Sequence, residues 1–180
     1  MIFAVISNFI DRETCNNLTD LLSTCEWESV VRNDVDIFSI MTTDIDEIHA
    51  IGSKLWNALE SQVSKVAKRQ IVKETSEAAL AYTRYSTGQG LMWHSDGGDG
   101  AQTNTSGRKI DVSAIVYLND EYSGGELSMA KANSRVNNVF MVKPSTGDLV
   151  IIDGATWHEA LPVASGTKYV MSARWQLDQG

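Results

Sequence analysis

Cysteine is scarce in this chain: Cys15 and Cys25 are the only two in 180 residues. Two thiols exclude a disulfide framework and a zinc knuckle, and the plain expectation is a pair of reduced, partly buried side chains in a cytoplasmic protein. No segment approaches the ~20 consecutive apolar residues that span a bilayer, so no membrane partner is expected. The opening MIFAVISNFIDRETC lacks the basic stretch and small-residue cleavage site of a signal peptide, and FAVI within it reads as a first strand. Positive charge is also short. Lys and Arg number 15 against 23 Asp and Glu, a formal net charge of −8, and no basic stripe runs along the chain. An acidic protein repels a phosphate backbone on average, which argues against a nucleic-acid partner. Linkers, repeats and low-complexity tracts are missing too, so residues 1–180 read as one domain.

Two helices are expected near the start. Over residues 11–25 Asp11 stands where a cap belongs, and Leu18, Leu21 and Leu22 follow a helical period. Over 44–68 Asp44 and Glu47 resemble a capping box, and Ile45, Ile48, Ile51, Leu55, Leu59, Val63 and Val66 make one apolar stripe, a core face without chemistry. After residue 77 the pattern changes. AALAYTRY, KIDVSAIVYL, GELSMA, NVFMVKP, GDLVIID and TKYVMSARWQL read as short strands, separated by turns such as STGQG, PSTGD and ALPVASG. The expectation is a helical support over 1–76 and an antiparallel sandwich or barrel over 77–180, a mainly β fold with N-terminal helices. The glycine-rich stretch 97–107 reads as a loop that folds over a site.

Only three histidines are present, and one lies in WHSDGGDG, residues 93–100. Residues two apart on a strand share a face, so His94 and Asp96 could approach one ion while Trp93 and Ser95 turn away. The spacing alone also fits a surface histidine beside a turn aspartate, the commoner case. A third ligand would come from His158, at a strand end in TWHEALPV, in preference to His49 on the long helix. Two imidazoles and one carboxylate leave open positions, which suits non-haem Fe(II) better than a closed structural zinc site. Ten residues after His158, Lys168 would enter the barrel on the next strand. A lone lysine there is ordinarily a solvated strand residue. A buried one demands an anion, and a dicarboxylate chelating the metal would present one.

Four segments, YSTGQGLMWHSD, DVSAIVYLNDEYSGGEL, KPSTGDLVIID and WHEALPVASGTKYVMSARW, together resemble the prolyl 4-hydroxylase-like superfamily of 2-oxoglutarate- and Fe(II)-dependent dioxygenases, and the PKHD-type hydroxylases in particular. The resemblance implies a double-stranded β-helix (a jelly-roll or cupin-like core) with helices packed on one sheet. It implies that His94, Asp96 and His158 bind iron and that Lys168 pairs with the distal carboxylate of 2-oxoglutarate. Tyr117 and Tyr85 match positions that line the co-substrate pocket, although barrel-core tyrosines with satisfied hydroxyls are the plain alternative. Arg174, an even number of residues after Lys168, is a second candidate partner of that carboxylate. The implied reactants are Fe(II), 2-oxoglutarate and O2, with ascorbate as an optional addition.

The implied reaction hydroxylates a C–H bond and releases succinate and CO2. A prolyl residue in a peptide or protein is the first substrate expectation. A small molecule or free amino acid is the second, and a nucleobase the third, weakened by the acidic charge. Arg84, Arg108 and Lys109, the cations clustered near the site, read as solvated strand-end charges. From other classes come a silent 2-oxoglutarate- and metal-binding module and a zinc hydrolase.

Overall fold

The computed structural model describes residues 2–32, 35–72, 80–97, 110–130 and 139–179. The larger of its two main sheets contains β1 (Phe3–Ile6), β2 (Trp27–Arg32), β3 (Val35–Met41), β4 (Ala81–Tyr85), β6 (Val112–Tyr117), β10 (Leu149–Asp153) and β13 (Lys168–Trp175). Their order is β1-β10-β6-β13-β4-β3-β2, antiparallel throughout. The smaller sheet contains β5 (Leu91–His94), β8 (Leu127–Ala130), β9 (Phe140–Val142) and β11 (Trp157–Ala160), ordered β5-β11-β8-β9. A short ribbon pairs β7 (Ser123–Gly124) with β12 (Val163–Ser165). The helices are α1 (Arg12–Ser23) and α2 (Asp46–Ala67).

The period of two along each strand of the large sheet assigns its two faces. On β13, Met171, Ala173 and Trp175 turn outward and join Val112, Ala114 and Val116 of β6 and Leu149 and Ile151 of β10 in a core with Leu18 and Leu22 of α1 and Ile48, Leu59 and Val63 of α2. On the other face Val150, Ile152 and Val170 pack with Leu127 and Met129 of the small sheet. The helices therefore cover one side of the large sheet and leave the space between the sheets for a site. Mainly β architecture with helices on one sheet is the fold class expected.

Local signals held unevenly. Asp11 caps α1, its Oδ1 accepting from the Thr14 amide at 2.8 Å. The Asp44–Glu47 capping box does not form. Ile45 is the N-cap of α2, with no side-chain cap bond, and Asp44 instead holds Nε2 of exposed His49. His49 thus lies on the helix with its own partner. The split into a helical support and a β core needs correction, because residues 1–76 also supply β1, β2 and β3 to the large sheet. ALPVASG is likewise more than a turn, since Val163–Ser165 within it pairs with β7. Arg84, expected to be solvated, stacks over the Trp27 ring at 4.8 Å. The loop expected over 97–107 lies outside the described residues beyond Gly97, as do Arg108 and Lys109. Cys15 and Cys25 are both buried and free. Among the described residues no helix is long and apolar enough to cross a membrane.

Candidate active site and metal centre

His94 ends β5 and His158 lies on β11, and the antiparallel register makes them direct partners across the small sheet. Direct partners share a face. Their rings approach to 4.2 Å between centroids on the inner side. Trp93 and Trp157, the neighbours one residue before, stack on each other at 6.4 Å. Asp96 follows β5 in a tight passage. The Gly97 amide donates to the Gly154 carbonyl at 2.6 Å, and a Cβ on Gly97 would lie 1.7 Å from the Ile110 carbonyl oxygen. Only glycine permits that approach, and it turns Asp96 back under the histidines. One ligand atom from each of His94, Asp96 and His158 lies within 4.8 Å of the others.

Each histidine is oriented through its far nitrogen. His94 Nδ1–H donates to the Met92 carbonyl at 2.8 Å, and His158 Nδ1–H to the Thr156 carbonyl at 2.9 Å. A carbonyl accepts only, so the proton resides on Nδ1 and the Nε2 lone pair is free for a metal. His158 is 4% exposed, and burial, aided by the nearby His94, holds it down to about 4, so it is neutral near pH 7. Burial pushes Asp96 up, but its neighbours, the Arg174 guanidinium and the Ser113 hydroxyl among them, outweigh burial and hold it well below the usual carboxylate range. Asp96 Oδ1 is buried without a hydrogen-bond partner, 3.4 Å from His94 Nε2. His158 Nε2 lies 3.9 Å from the other oxygen, Oδ2. A buried carboxylate with one unsatisfied oxygen beside two imidazole lone pairs is a costly arrangement that a divalent cation would resolve. The donor set fits Fe(II), and these three side chains could hold it.

The three residues line a cavity of about 240 Å³ between the sheets. Along β13 its wall is Lys168, Val170, Ser172 and Arg174. Lys168 is 2% exposed. Its Nζ donates to the Gly125 carbonyl at 2.8 Å and lies 5.0, 5.1 and 6.0 Å from the ring centroids of Tyr85, Tyr117 and Tyr122. Tyr85 faces Lys168 as its direct partner on β4, and Tyr117 faces Val170 on β6. Three ring faces stabilise an ammonium, but burial still draws Lys168 down to about 8, with Glu126 opposing in part. Gly125 is required here: its φ is +68°, and a Cβ would meet the Tyr122 ring at 3.1 Å and Lys168 Cδ at 3.3 Å.

Arg174 has a different place from the one expected. It shares the cavity face with Lys168, but six residues of strand advance about 20 Å. Its Nε instead lies 3.5 Å from Asp96 Oδ2. Sequence reasoning passed over Ser113, whose hydroxyl donates to the same Oδ2 at 2.6 Å, and Tyr122 in the NDEYSGGEL turn. It also passed over Phe38 and Ile40 of β3, which line the cavity. The alternation in VVRNDVDIFSI around Asn33-Asp34 is a hairpin signal that could have found β2 and β3.

Comparison with known proteins agrees with this geometry. Residues 80–175, more than half of the chain, match the family profile described as the 2OG-Fe(II) oxygenase superfamily. A PKHD-type hydroxylase of Xanthomonas campestris pv. campestris is 34% identical over 99 residues, which are 52% of this chain and 41% of that protein. The match thus spans under half the length of that relative. Among solved structures, a Pseudomonas putida prolyl-4-hydroxylase superposes with a TM-score of 0.69 at 15% identity, covering 97% of this chain and 92% of that one. A Trichoplax adhaerens prolyl hydroxylase in complex with a hypoxia inducible factor peptide fragment superposes with a TM-score of 0.70 at 18% identity, covering 97% and 83%. These are double-stranded β-helix folds, the core expected from the sequence. From the cavity between its sheets, the donor set at its centre and the profile match across β4 to β13, this chain belongs to the 2OG-Fe(II) oxygenase superfamily, the Fe(II)- and 2-oxoglutarate-dependent dioxygenases.

Proposed function

We propose that residues 1–180 act as one Fe(II)- and 2-oxoglutarate-dependent dioxygenase domain that hydroxylates a C–H bond, with a prolyl residue in a peptide or protein as the substrate. The observation that carries this reading is a single cavity with three converging metal donors, His94, Asp96 and His158, and a buried ammonium, Lys168, on its wall. Fe(II) with 2-oxoglutarate supplies the oxidising chemistry, consuming O2 and releasing succinate and CO2 as one oxygen atom enters the substrate. The chain's own residues bind and orient. His94 and His158 offer Nε2 lone pairs held in place by backbone carbonyls, and Asp96 offers Oδ1. Lys168, ringed by Tyr85, Tyr117 and Tyr122, takes the far carboxylate of the co-substrate. Val170, Ile115 and Leu127 keep the cavity wall dry, which strengthens that ion pair. No side chain is required as a strong acid or base.

The prolyl reading rests on the relatives named as PKHD-type and prolyl hydroxylases, one of them seen with a peptide. The cavity is also small beside the ~300–1,000 Å³ of drug-sized sites, enough for a diacid and the reacting end of a substrate rather than a whole one. Incubation with Fe(II), 2-oxoglutarate and O2 against a proline-rich peptide library and a metabolite extract, read by mass spectrometry, tests both levels. A peptide product one oxygen heavier, with matching succinate, is expected. A product among metabolites alone would replace the prolyl reading with a small-molecule hydroxylase. No succinate in any arm would leave a silent binding module, and turnover with Zn(II) under anaerobic conditions a hydrolase.

A pH dependence follows from Lys168. Its folded pKa lies below the free-lysine value, so the unliganded protein loses this proton as pH rises through about 8. Binding a diacid requires the ammonium and must take a proton up again above that point. 2-Oxoglutarate affinity is therefore expected to be flat below about pH 8 and to fall above it, by up to about tenfold per pH unit. Calorimetry of the Mn(II)-loaded protein in buffers of different ionisation enthalpy reads the proton uptake directly. Uptake that persists in Lys168→Met would assign it to another group.

A further inference from the structure

Asp96 presents its two oxygens to different surroundings. Oδ2 accepts from Ser113 Oγ–H at 2.6 Å and lies 3.5 Å from Arg174 Nε and 3.9 Å from His158 Nε2, whereas Oδ1 has no hydrogen-bond partner and lies 3.4 Å from His94 Nε2. The asymmetry is built into the large sheet. Ser113 and Arg174 are direct partners across β6 and β13, so both side chains rise from the same point of the same face. They reach one oxygen of a carboxylate that belongs to neither strand. Arg174 Nε is itself buried and makes no hydrogen bond, and among the described residues Asp96 is the carboxylate within ion-pair distance of it. An unrestrained aspartate is able to rotate and offer a metal both oxygens. One with an oxygen already occupied by a hydroxyl and faced by a guanidinium has only the other oxygen free to offer.

We propose that Ser113 and Arg174 form a two-residue clamp on Asp96 Oδ2 that confines this ligand to single-oxygen coordination through Oδ1. This inference rests on the metal-centre reading above. Both are positioning residues: they act through Asp96 and leave to Lys168 the task of holding the diacid. The clamp keeps the positions beside Asp96 open for a chelating co-substrate, which a second bound oxygen would obstruct. It also explains why Arg174 shares a strand face with Lys168 yet lies at the metal end of the cavity.

The test is metal binding, measured apart from turnover. Metal-free wild type, Ser113→Ala, Arg174→Met, Arg174→Lys and His94→Ala are titrated with Mn(II) by calorimetry, and each Co(II) complex is examined by visible absorption. Ser113→Ala and Arg174→Met are expected to weaken Mn(II) binding about tenfold each. Arg174→Lys should recover part of the loss, because a cation remains opposite Oδ2. The Co(II) bands of Ser113→Ala should shift in position and intensity as Asp96 gains freedom to bind through both oxygens, a change that mere loss of packing would not produce. Ser113→Ala removes one hydroxyl and carries the test alone if Arg174→Met does not fold. Wild-type Mn(II) affinity and an unchanged Co(II) spectrum in Ser113→Ala would overturn the clamp. Failure of wild type to bind Mn(II), or His94→Ala binding it equally well, would overturn the metal-centre reading, and the clamp with it.

Discussion

Asp96→Ala is expected to abolish divalent-metal binding, with an affinity loss beyond about a hundredfold, since partners that merely orient a ligand are worth 10–100-fold. Two imidazoles remain after this change, and they sit on neighbouring strands whose register needs no metal. They supply no charge to balance the cation. A second effect reaches the fold itself. Without the carboxylate, the Arg174 guanidinium loses its anion and Ser113 its acceptor. Leaving a buried cation unpaired costs about 3–5 kcal/mol. Arg174 keeps 24% of its side chain exposed, so water compensates in part and the lower end of that range applies. Asp96→Asn separates the two effects. The amide oxygen still accepts from Ser113, so more stability survives, while the charge and the metal are lost. Thermal unfolding of the metal-free proteins and Mn(II) calorimetry measure each effect. Wild-type metal affinity in either variant would remove Asp96 from the centre.

Lys168→Met should move stability and binding in opposite directions. In the free protein Lys168 is 2% exposed and its ammonium is satisfied by one carbonyl and three ring faces, with no carboxylate among the described residues within ion-pair distance. A thioether of similar volume removes a charge that burial already opposes. The metal-free, ligand-free variant should therefore unfold at the same temperature as wild type or higher. Its 2-oxoglutarate affinity should fall by about 2–4 kcal/mol, the worth of a charge-assisted pair in a desolvated site. Metal binding should be untouched, because no metal donor contacts Lys168. Calorimetric titration with 2-oxoglutarate in the Mn(II)-loaded state reads the loss, and unchanged affinity would free Lys168 from its role. A residue whose removal strengthens the fold and weakens the ligand is present for the ligand.

Much of the architecture was legible along the chain because its signals are local. The apolar, β-branched run in GDLVIID and the alternation in TKYVMSARW mark strands wherever they pair, and Asp11 caps α1 through an amide three residues away. His94 and Asp96 were readable as a pair from their spacing, and His158 as the third member because the other candidate sits on a helix. The failures share a different cause. Asp44 has the residue type of a cap, yet the helix begins two residues later and the carboxylate turns to His49. The β2–β3 hairpin is a weak alternating stretch, stabilised as a strand pair by the sheet it joins through β4. Arg174 was assigned by face alone, which parity decides, and not by position along the strand, which decides what it touches.

By itself the sequence determined which donors exist and which face of β13 each residue takes, and its four matching segments carried the resemblance to the 2-oxoglutarate- and Fe(II)-dependent dioxygenases. Only the tertiary structure decided that His94 and His158 stand opposite each other, that the tyrosines close around Lys168, and that Ser113 and Arg174 converge on one oxygen of Asp96. The reason is one of range. Face and period follow from the chirality and pleat of a few adjacent residues, whereas register joins β6 to β13 across more than fifty residues and is selected by the packing of the whole sheet.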